Sequence, residues 1–423
     1  MSGGGFRTFA SLSPIMEDLP SYTPEVLPGY DLTPATTCSP PSTRSSSPTF
    51  CLARARDHEN YRYRSERMEL DLGPRRWGTR LPAYGRFGQV EGTVKVRSFG
   101  HVERIVVRLI GKLHASHLVS HIPTLSQSQF IVNKEIELWS AKAPSASVAV
   151  GESQFPFSFT LDKEEVGDSE AGSMPPSTTI QLHRANARIA YAIRVDMYRR
   201  GLHMHEMIQT EILHLPRTVV RYSHPFIPES GNEKRPSITE SEWNRAQLQR
   251  DSGEGFKVRL DSVCHKAPEL LLPRDLRFPS GENIPFLLSI PGAHDLAPHV
   301  EIQLVRLSTV QTRAGAIQQA KVISGGRIHD HSQPGSTTST TIHGTIGTGE
   351  AEKDVSWNFG TLLSISYEIR VALSFSARGS AWKLTQPIEL TSHEWRGEQS
   401  GLIPSLGSDA AFRTAVNLIN MNV

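Results

Sequence analysis

The sequence predicts an all-β protein, with two homologous β domains in tandem behind a disordered N-terminal tail. Three observations predict it. A strand is written twice, as Ile189-Ala190-Tyr191-Ala192-Ile193-Arg194-Val195 and as Ile365-Ser366-Tyr367-Glu368-Ile369-Arg370-Val371, both reading I-x-Y-x-I-R-V. Its period is two, so Ile189, Tyr191, Ile193 and Val195 face one way and Ala190, Ala192 and Arg194 the other, the signature of a half-buried strand. Each copy also follows the same two patterns in the same order. Gly88 to Val96 and then Val102-Glu103-Arg104-Ile105-Val106-Val107-Arg108-Leu109 precede the first. Gly281 to Leu288 and then Val300-Glu301-Ile302-Gln303-Leu304-Val305-Arg306-Leu307 precede the second. Finally, residues 1–65 lack a packable pattern: Pro14, Pro20, Pro24, Pro28, Pro34, Pro40, Pro41 and Pro48 punctuate Ser and Thr. Such a segment buries too little apolar surface to offset its conformational entropy.

In chain order, Arg54 to Arg67 is rich in Arg but diluted by Asp57, Glu59 and Glu66, and reads as a solvated linker. Met68-Glu69-Leu70-Asp71-Leu72 alternates as a strand that Gly73-Pro74 breaks. Gly88 to Val96 is a second strand, where Gly92 marks a bulge or a close backbone approach. Val102 to Leu113 is a long β run, and Phe155 to Leu161 alternates with Phe155, Phe157, Phe159 and Leu161 inward. A disordered loop over Glu164 to Thr178 leads to the repeated strand, and Met207 to Leu215 and Val219 to Tyr222 close the domain. Thr239 to Gln249 reads as a short helix in a polar hinge, with Thr239 and Glu242 in capping-box spacing. Phe256 to Val263 opens the second domain, and Gly325 to Glu350 is a Gly-, Ser- and Thr-rich loop within it. Asp409 to Met421 has helical spacing of Ala411, Val416, Leu418 and Ile419. The divisions are a tail at 1–65, a first domain at 66–222, a hinge at 223–252, a second domain at 253–395 and a C-terminal tail at 396–423.

Composition narrows the function classes. The formal net charge is +2, with Lys and Arg interleaved with acids, so there is no nucleic-acid footprint. Cys38, Cys51 and Cys264 stand isolated, which suits unpaired thiols in a reducing compartment. No stretch approaches the roughly 20 apolar residues of a membrane helix, and no signal peptide opens the chain. These features predict a soluble intracellular protein. No G-x-S-x-G elbow, P-loop or H-E-x-x-H motif appears. His203 with His205, and His329 with His331, look like ligand pairs, and on a strand His203 and His205 would share a face. No third ligand stands at sensible spacing, so no metal and no cofactor is predicted. Asp162, Glu164 and Glu165 read as solvated loop acids, and no enzyme is expected.

The motifs that carry chemistry lie in the tail. Leu19-Pro20-Ser21-Tyr22 and Leu27-Pro28-Gly29-Tyr30 both read L-P-x-Y. WW domains read such tetrapeptides: an aromatic groove takes the preformed polyproline turn and a neighbouring pocket takes the tyrosine. The alternative is that proline and tyrosine merely share a linker. A third copy, Leu81-Pro82-Ala83-Tyr84, lies beside the first strands and reads as structural, with Tyr84 packed at a strand entry. Thr23, Thr33, Ser39 and Ser47 each precede a proline and suit proline-directed kinases, and Lys234-Arg235-Pro236-Ser237 offers Ser237 to a basophilic one. A phosphate on Thr23, beside Tyr22, would add about −1.5 to −2 charges to the docking motif.

The order G-x-V-x-G-x-V-x-V, V-E-x-I-x-V-x-L-x-G, F-P-F-x-F-x-L and Y-x-I-R-V resembles that of arrestin N-terminal domains. The second half, notably Phe278 to Phe286, resembles arrestin C-terminal domains. With L-P-x-Y motifs outside the fold, the whole resembles the fungal arrestin-related trafficking adaptors over residues 66 to about 395. The resemblance implies two arrestin-like, immunoglobulin-type β-sandwiches. It also implies a cytoplasmic adaptor recruited peripherally to the plasma membrane or endosomes. Such an adaptor links cytosolic tails of transporters or receptors to a WW-domain HECT-type ubiquitin ligase, so that cargo is ubiquitinated and endocytosed. The family often carries P-P-x-Y motifs in a C-terminal tail, whereas here the region after 395 has none. The alternative is an endosomal sorting scaffold of the same fold without a ubiquitin role.

Overall fold

The computed structural model describes residues 60–120, 122–142, 153–161, 174–201, 205–221, 242–250, 266–292, 298–332, 339–375, 381–394 and 402–406. Among them the chain is all-β. Among the described residues no helix is long and apolar enough to cross a membrane. Residues 56–423 form one compact unit.

The first half contains β1 (Asn60–Arg64), β2 (Met68–Pro74), β3 (Ala83–Tyr84), β4 (Gln89–Val96), β5 (Val102–Val119), β6 (Ile122–Ser140), β7 (Ser153–Thr160), β8 (Thr178–Gln181), β9 (Ala185–Arg199), β10 (Glu206–His214) and β11 (Val219–Val220). One sheet runs β1-β2-β4-β7. The other runs β3-β10-β9-β5-β6, with β8 beside β9. Their inner faces share one core. Val90, Val94, Phe157 and Phe159 on the first sheet meet Leu109, Leu113, Ile189, Tyr191, Ile193 and Val195 on the second. Gly92 is a close approach: a Cβ there would sit 2.6 Å from the Phe157 ring and 2.9 Å from the Asp71 carbonyl. Gly111 does the same for the repeated tyrosine, since its Cβ would meet the Tyr191 ring at 2.6 Å.

The second half contains β12 (Trp243–Gln247), β13 (Gln249–Arg250), β14 (Glu269–Pro273), β15 (Arg277–Pro279), β16 (Asn283–Pro291), β17 (His299–Thr312), β18 (Gly315–Ser332), β19 (Ser339–Gly347), β20 (Trp357–Phe359), β21 (Leu363–Ser374), β22 (Trp382–Thr391) and β23 (His393–Glu394). They form one path, β12-β14-β16-β19-β18-β17-β21-β22-β13, folded over a second core of Leu270, Phe278, Phe286, Leu304, Tyr367 and Ile369. Only Leu248 separates β12 from β13, so the two ends of the path meet and the sheet nearly closes.

The two halves repeat their strand order as well as their sequence patterns. β1-β2-β4-β7 corresponds to β12-β14-β16-β19, and β10-β9-β5-β6 to β22-β21-β17-β18. The repeated strands are β9 and β21, each beside the strand that opens on a Val-Glu pair, Val102-Glu103 in β5 and Val300-Glu301 in β17. Leu109 pairs with Ile193 in the first half, and Leu304 with Ile369 in the second. Both tyrosines are core: Tyr191 is 0% exposed and Tyr367 2%.

Three expected segments differ. Asn60–Arg64 is strand β1, with Tyr61 buried and Arg62 and Arg64 paired to Asp71 and Glu69, so regular structure starts before residue 66. The helix expected over Thr239 to Gln249 is instead strand: Trp243–Gln247 pairs antiparallel with β14, and the buried Trp243 anchors it. The expected loop at Gly325 to Glu350 contains the end of β18 and all of β19, where Thr340, Ile342 and Ile346 turn inward. The readings at Phe256 to Val263 and Asp409 to Met421 lie outside the described residues, as does that of Glu164 to Thr178 up to residue 173.

Candidate functional site

The seam between the halves is packed below and open above. The first core continues across it through Val310, Phe359 and Leu363. Two ties cross on one side: Gln127 Nε2 donates to the Gln311 carbonyl at 2.7 Å, and His183 N donates to Gln319 Oε1 at 3.3 Å. On the other side β11 pairs in parallel with β23. Thr218 and Ser392 exchange bonds there: Thr218 N donates to Ser392 Oγ at 3.0 Å, and Ser392 N to Thr218 Oγ1 at 2.9 Å. The segment 402–406 straps the same place. Ser405 N donates to the Leu215 carbonyl at 2.9 Å, and Ser405 Oγ to Glu352 Oε2 at 3.2 Å. A short segment thus reaches both halves, a role its sequence did not announce.

Above this floor lies a cleft of about 800 Å³, lined from both halves. Its titratable lining is six basic groups, Arg86, Arg217, Arg277, Arg306, Lys321 and Lys353, against two acidic ones, Glu352 and Glu389. Part of the charge is satisfied locally. Arg277 pairs with Glu389 at 2.9 Å, Lys353 with Glu350 at 2.7 Å, and Arg306 stands 3.7 Å from Asp354. Two buried donors on the lining, Thr179 Oγ1 and Arg306 Nε, have no hydrogen-bond partner. In a low-dielectric recess between two sheets, such a lining favours an anionic guest.

A second polar cluster lies on the outer face of β9. Asp196 is fully buried and accepts from Arg194 Nε at 2.9 Å and Arg108 Nη1 at 3.3 Å, with His205 Nε2 3.0 Å from its carboxylate. Tyr198 stacks on His205 at 4.8 Å, and Arg104 covers Tyr198 at 4.2 Å. His205, weighed in the sequence as half of a ligand pair, is therefore held by a carboxylate, while His203 lies outside the described residues. In the other pair, His329 Nε2 meets Thr345 Oγ1 at 2.9 Å.

The sequence-predicted docking residues Leu19, Pro20, Tyr22, Leu27, Pro28 and Tyr30 lie outside the described residues. So do the phosphorylation candidates Thr23, Thr33, Ser39, Ser47 and Ser237. The third L-P-x-Y copy is described, and the fold claims it. Ala83–Tyr84 is strand β3, parallel to β10. Leu213 N donates to the Pro82 carbonyl and Leu215 N to that of Tyr84, each at 2.8 Å. Burial pushes the pKa of the Tyr84 hydroxyl up. A tetrapeptide hydrogen-bonded in this way cannot lie as a free polyproline turn in a partner's groove.

No protein-family model matches the chain, and no curated protein matches it.

Proposed function

We propose that the chain is a non-enzymatic adaptor. In this reading Tyr22 and Tyr30 and their Leu-Pro partners dock a WW-domain HECT-type ubiquitin ligase, and the folded body holds cytosolic tails of membrane transporters or receptors. The observation that carries it is the pair of L-P-x-Y motifs, which the sequence places ahead of the two-sandwich body. The resemblance to arrestin-related trafficking adaptors supports it. So does the basic seam cleft, which suits acidic cytosolic segments of cargo. Recruitment is then peripheral, at the plasma membrane or endosomes, and ubiquitination and endocytosis of cargo follow from bringing ligase and cargo together.

Proximity labelling in cells, with the full chain and with one lacking residues 1–55, tests this reading. Deletion should abolish labelling of WW-containing ligases and keep labelling of membrane cargo. Ligase labelling that survives deletion would overturn the ligase role. If cargo and endosomal proteins are labelled but no ligase in either case, the sorting-scaffold reading takes its place.

A further inference from the structure

Among the described residues, nothing covers the apolar tip of the β5–β6 hairpin. Its last pair is Val119 with Ile122, and the turn between them is tight, with Ser120 at a φ of 50°. Val119 is 52% exposed, Ile122 66% and Leu125 45%, whereas Leu118 just behind them is buried. Among the described residues Ile122 is the most exposed of the large hydrophobics. In the other half the corresponding hairpin strand, β18, crosses to pair with β19. Among the described residues β6 has no such partner and stays at the edge of its sheet. The tip therefore projects from an edge that the fold leaves open.

Among the described residues, the turns beside the tip carry exposed cations. The β8–β9 turn carries exposed His183 and Arg184, and it is fixed to the hairpin by Leu118 N donating to the Arg184 carbonyl at 2.8 Å. The β17–β18 turn carries exposed Arg313, two residues from the Gln311 carbonyl that Gln127 holds. The described stretches that build this end, residues 104–120, 122–134, 174–195 and 302–329, contain no Asp or Glu, although 43 of the 423 residues are acidic. Three aliphatic side chains on a projecting tip, beside turns that carry exposed cations, match an anionic lipid surface: the aliphatics enter the acyl boundary and the cations meet headgroups. A protein partner is the poorer match, because the tip is convex and has none of the aromatic anchors that carry most protein interfaces.

We propose that this hairpin tip is a peripheral membrane-binding element for anionic bilayers, with Val119, Ile122 and Leu125 inserting and Arg184 and Arg313 contacting headgroups. The element also orients the seam cleft. Gln181, Leu182 and Gln319 line the cleft and adjoin the tip's own supports, so tip insertion holds the cleft beside the bilayer, where cytosolic stubs of membrane proteins emerge. The proposal is independent of the ligase reading: a chain without WW affinity would still bind lipid by this surface.

The test is co-sedimentation of the full chain with phosphatidylcholine vesicles, with and without about one-third phosphatidylserine. Wild type should sediment with the anionic vesicles and stay in solution with the neutral ones. The double variant Val119→Asp/Ile122→Asp should lose at least about tenfold in partitioning. Arg184→Glu/Arg313→Glu should lose several-fold, and added salt should weaken the wild type in the same direction. Both changes are at exposed positions, so melting should be unaffected. Met207→Asp is the control: this residue is as exposed, and its β10 strand position pairs with Asp196, at the far end of β9 from the tip. Absence of sedimentation with anionic vesicles, tip variants that sediment as wild type, or equal loss from Met207→Asp would each overturn the proposal.

Discussion

The two sandwiches share a strand order and differ in how they close. In the second half β18 is shared between layers: Gln303 to Thr312 of β17 pair with its first part, and β19 takes Gly326 to Ser332. In the first half, among the described residues, β6 pairs with β5 alone along its whole length and stands at the sheet edge. The glycine pair Gly325-Gly326 lies where β18 changes partner, whereas the equivalent hairpin stays in one sheet through three irregularities in register. The repeated patterns thus set which strands neighbour which, and the hairpin between them decides whether an edge is left over. The open edge is where the apolar tip projects. The repeated tyrosines show the same division. Both rings are core, but Tyr191 donates to the neutral Pro175 carbonyl at 2.8 Å, while Tyr367 donates to the Asp354 carboxylate at 3.2 Å, beside Arg306 at the seam.

The largest effect should come from breaking what the halves share. Tyr191→Asp or Tyr367→Asp places an unpaired charge in a core and should cost about 4 kcal/mol or more in chemical denaturation. Melting like wild type in either variant would show that the repeated strand is not core.

The next effect separates the halves by pH. His214 follows two residues after Ile212, which pairs with Tyr191. The matching position after Ile388, the partner of Tyr367, is Leu390. His214 is buried against the Tyr191 ring, with centroids 5.5 Å apart, and burial pushes its pKa down from 6.5 to about 4. A histidine whose folded pKa lies below its unfolded one binds its proton more readily when unfolded. Stability is therefore intact above pH 6.5 and falls as pH drops toward 4, by about 3 kcal/mol for this one group. His214→Leu should remove that part of the acid dependence and make the first half resemble the second. An unchanged pH profile in the variant would contradict this.

The smallest effect separates the two hydroxyls. Tyr367→Phe deletes a bond to a charged acceptor and should cost about 2 kcal/mol, whereas Tyr191→Phe deletes one to a neutral carbonyl and should cost about 1. Equal losses would mean that the seam carboxylate adds nothing to the shared design.

Much of the fold was legible because alternation writes burial directly. Ile189 to Val195 and Phe157 to Leu161 face inward as their period requires, and Gly92 marks the close approach expected of it. The misread elements had competing signals. Thr239 and Glu242 have capping-box spacing, yet Trp243 gains more by packing on Leu271 and Leu287 than a five-residue polar stretch gains by turning helical. Ser339 to Gly347 has the composition of a loop, but its Thr340, Ile342 and Ile346 are two and four apart, and the neighbouring strands supply the core that fixes them. Tyr61 was hidden among the arginines of Asn60–Arg64 in the same way. The seam cleft was not legible at all. Its cations come from segments as distant as Arg86 and Lys353, and only the packing of one sandwich on the other brings them together.

The central claim is that the tail motifs, and not the folded third copy, dock the ligase. Isothermal titration of the full chain with a tandem-WW ligase fragment tests it most directly. Tyr22 and Tyr30 are eight residues apart, about 25 Å along an extended polyproline path, so two WW domains sit on them only with crowding and avidity is partial. Tyr22→Ala and Tyr30→Ala should each weaken binding modestly, and the double variant should abolish it. Tyr84→Ala should bind as wild type while melting lower. A double variant that binds as tightly as wild type would contradict the account and leave the sorting scaffold in its place.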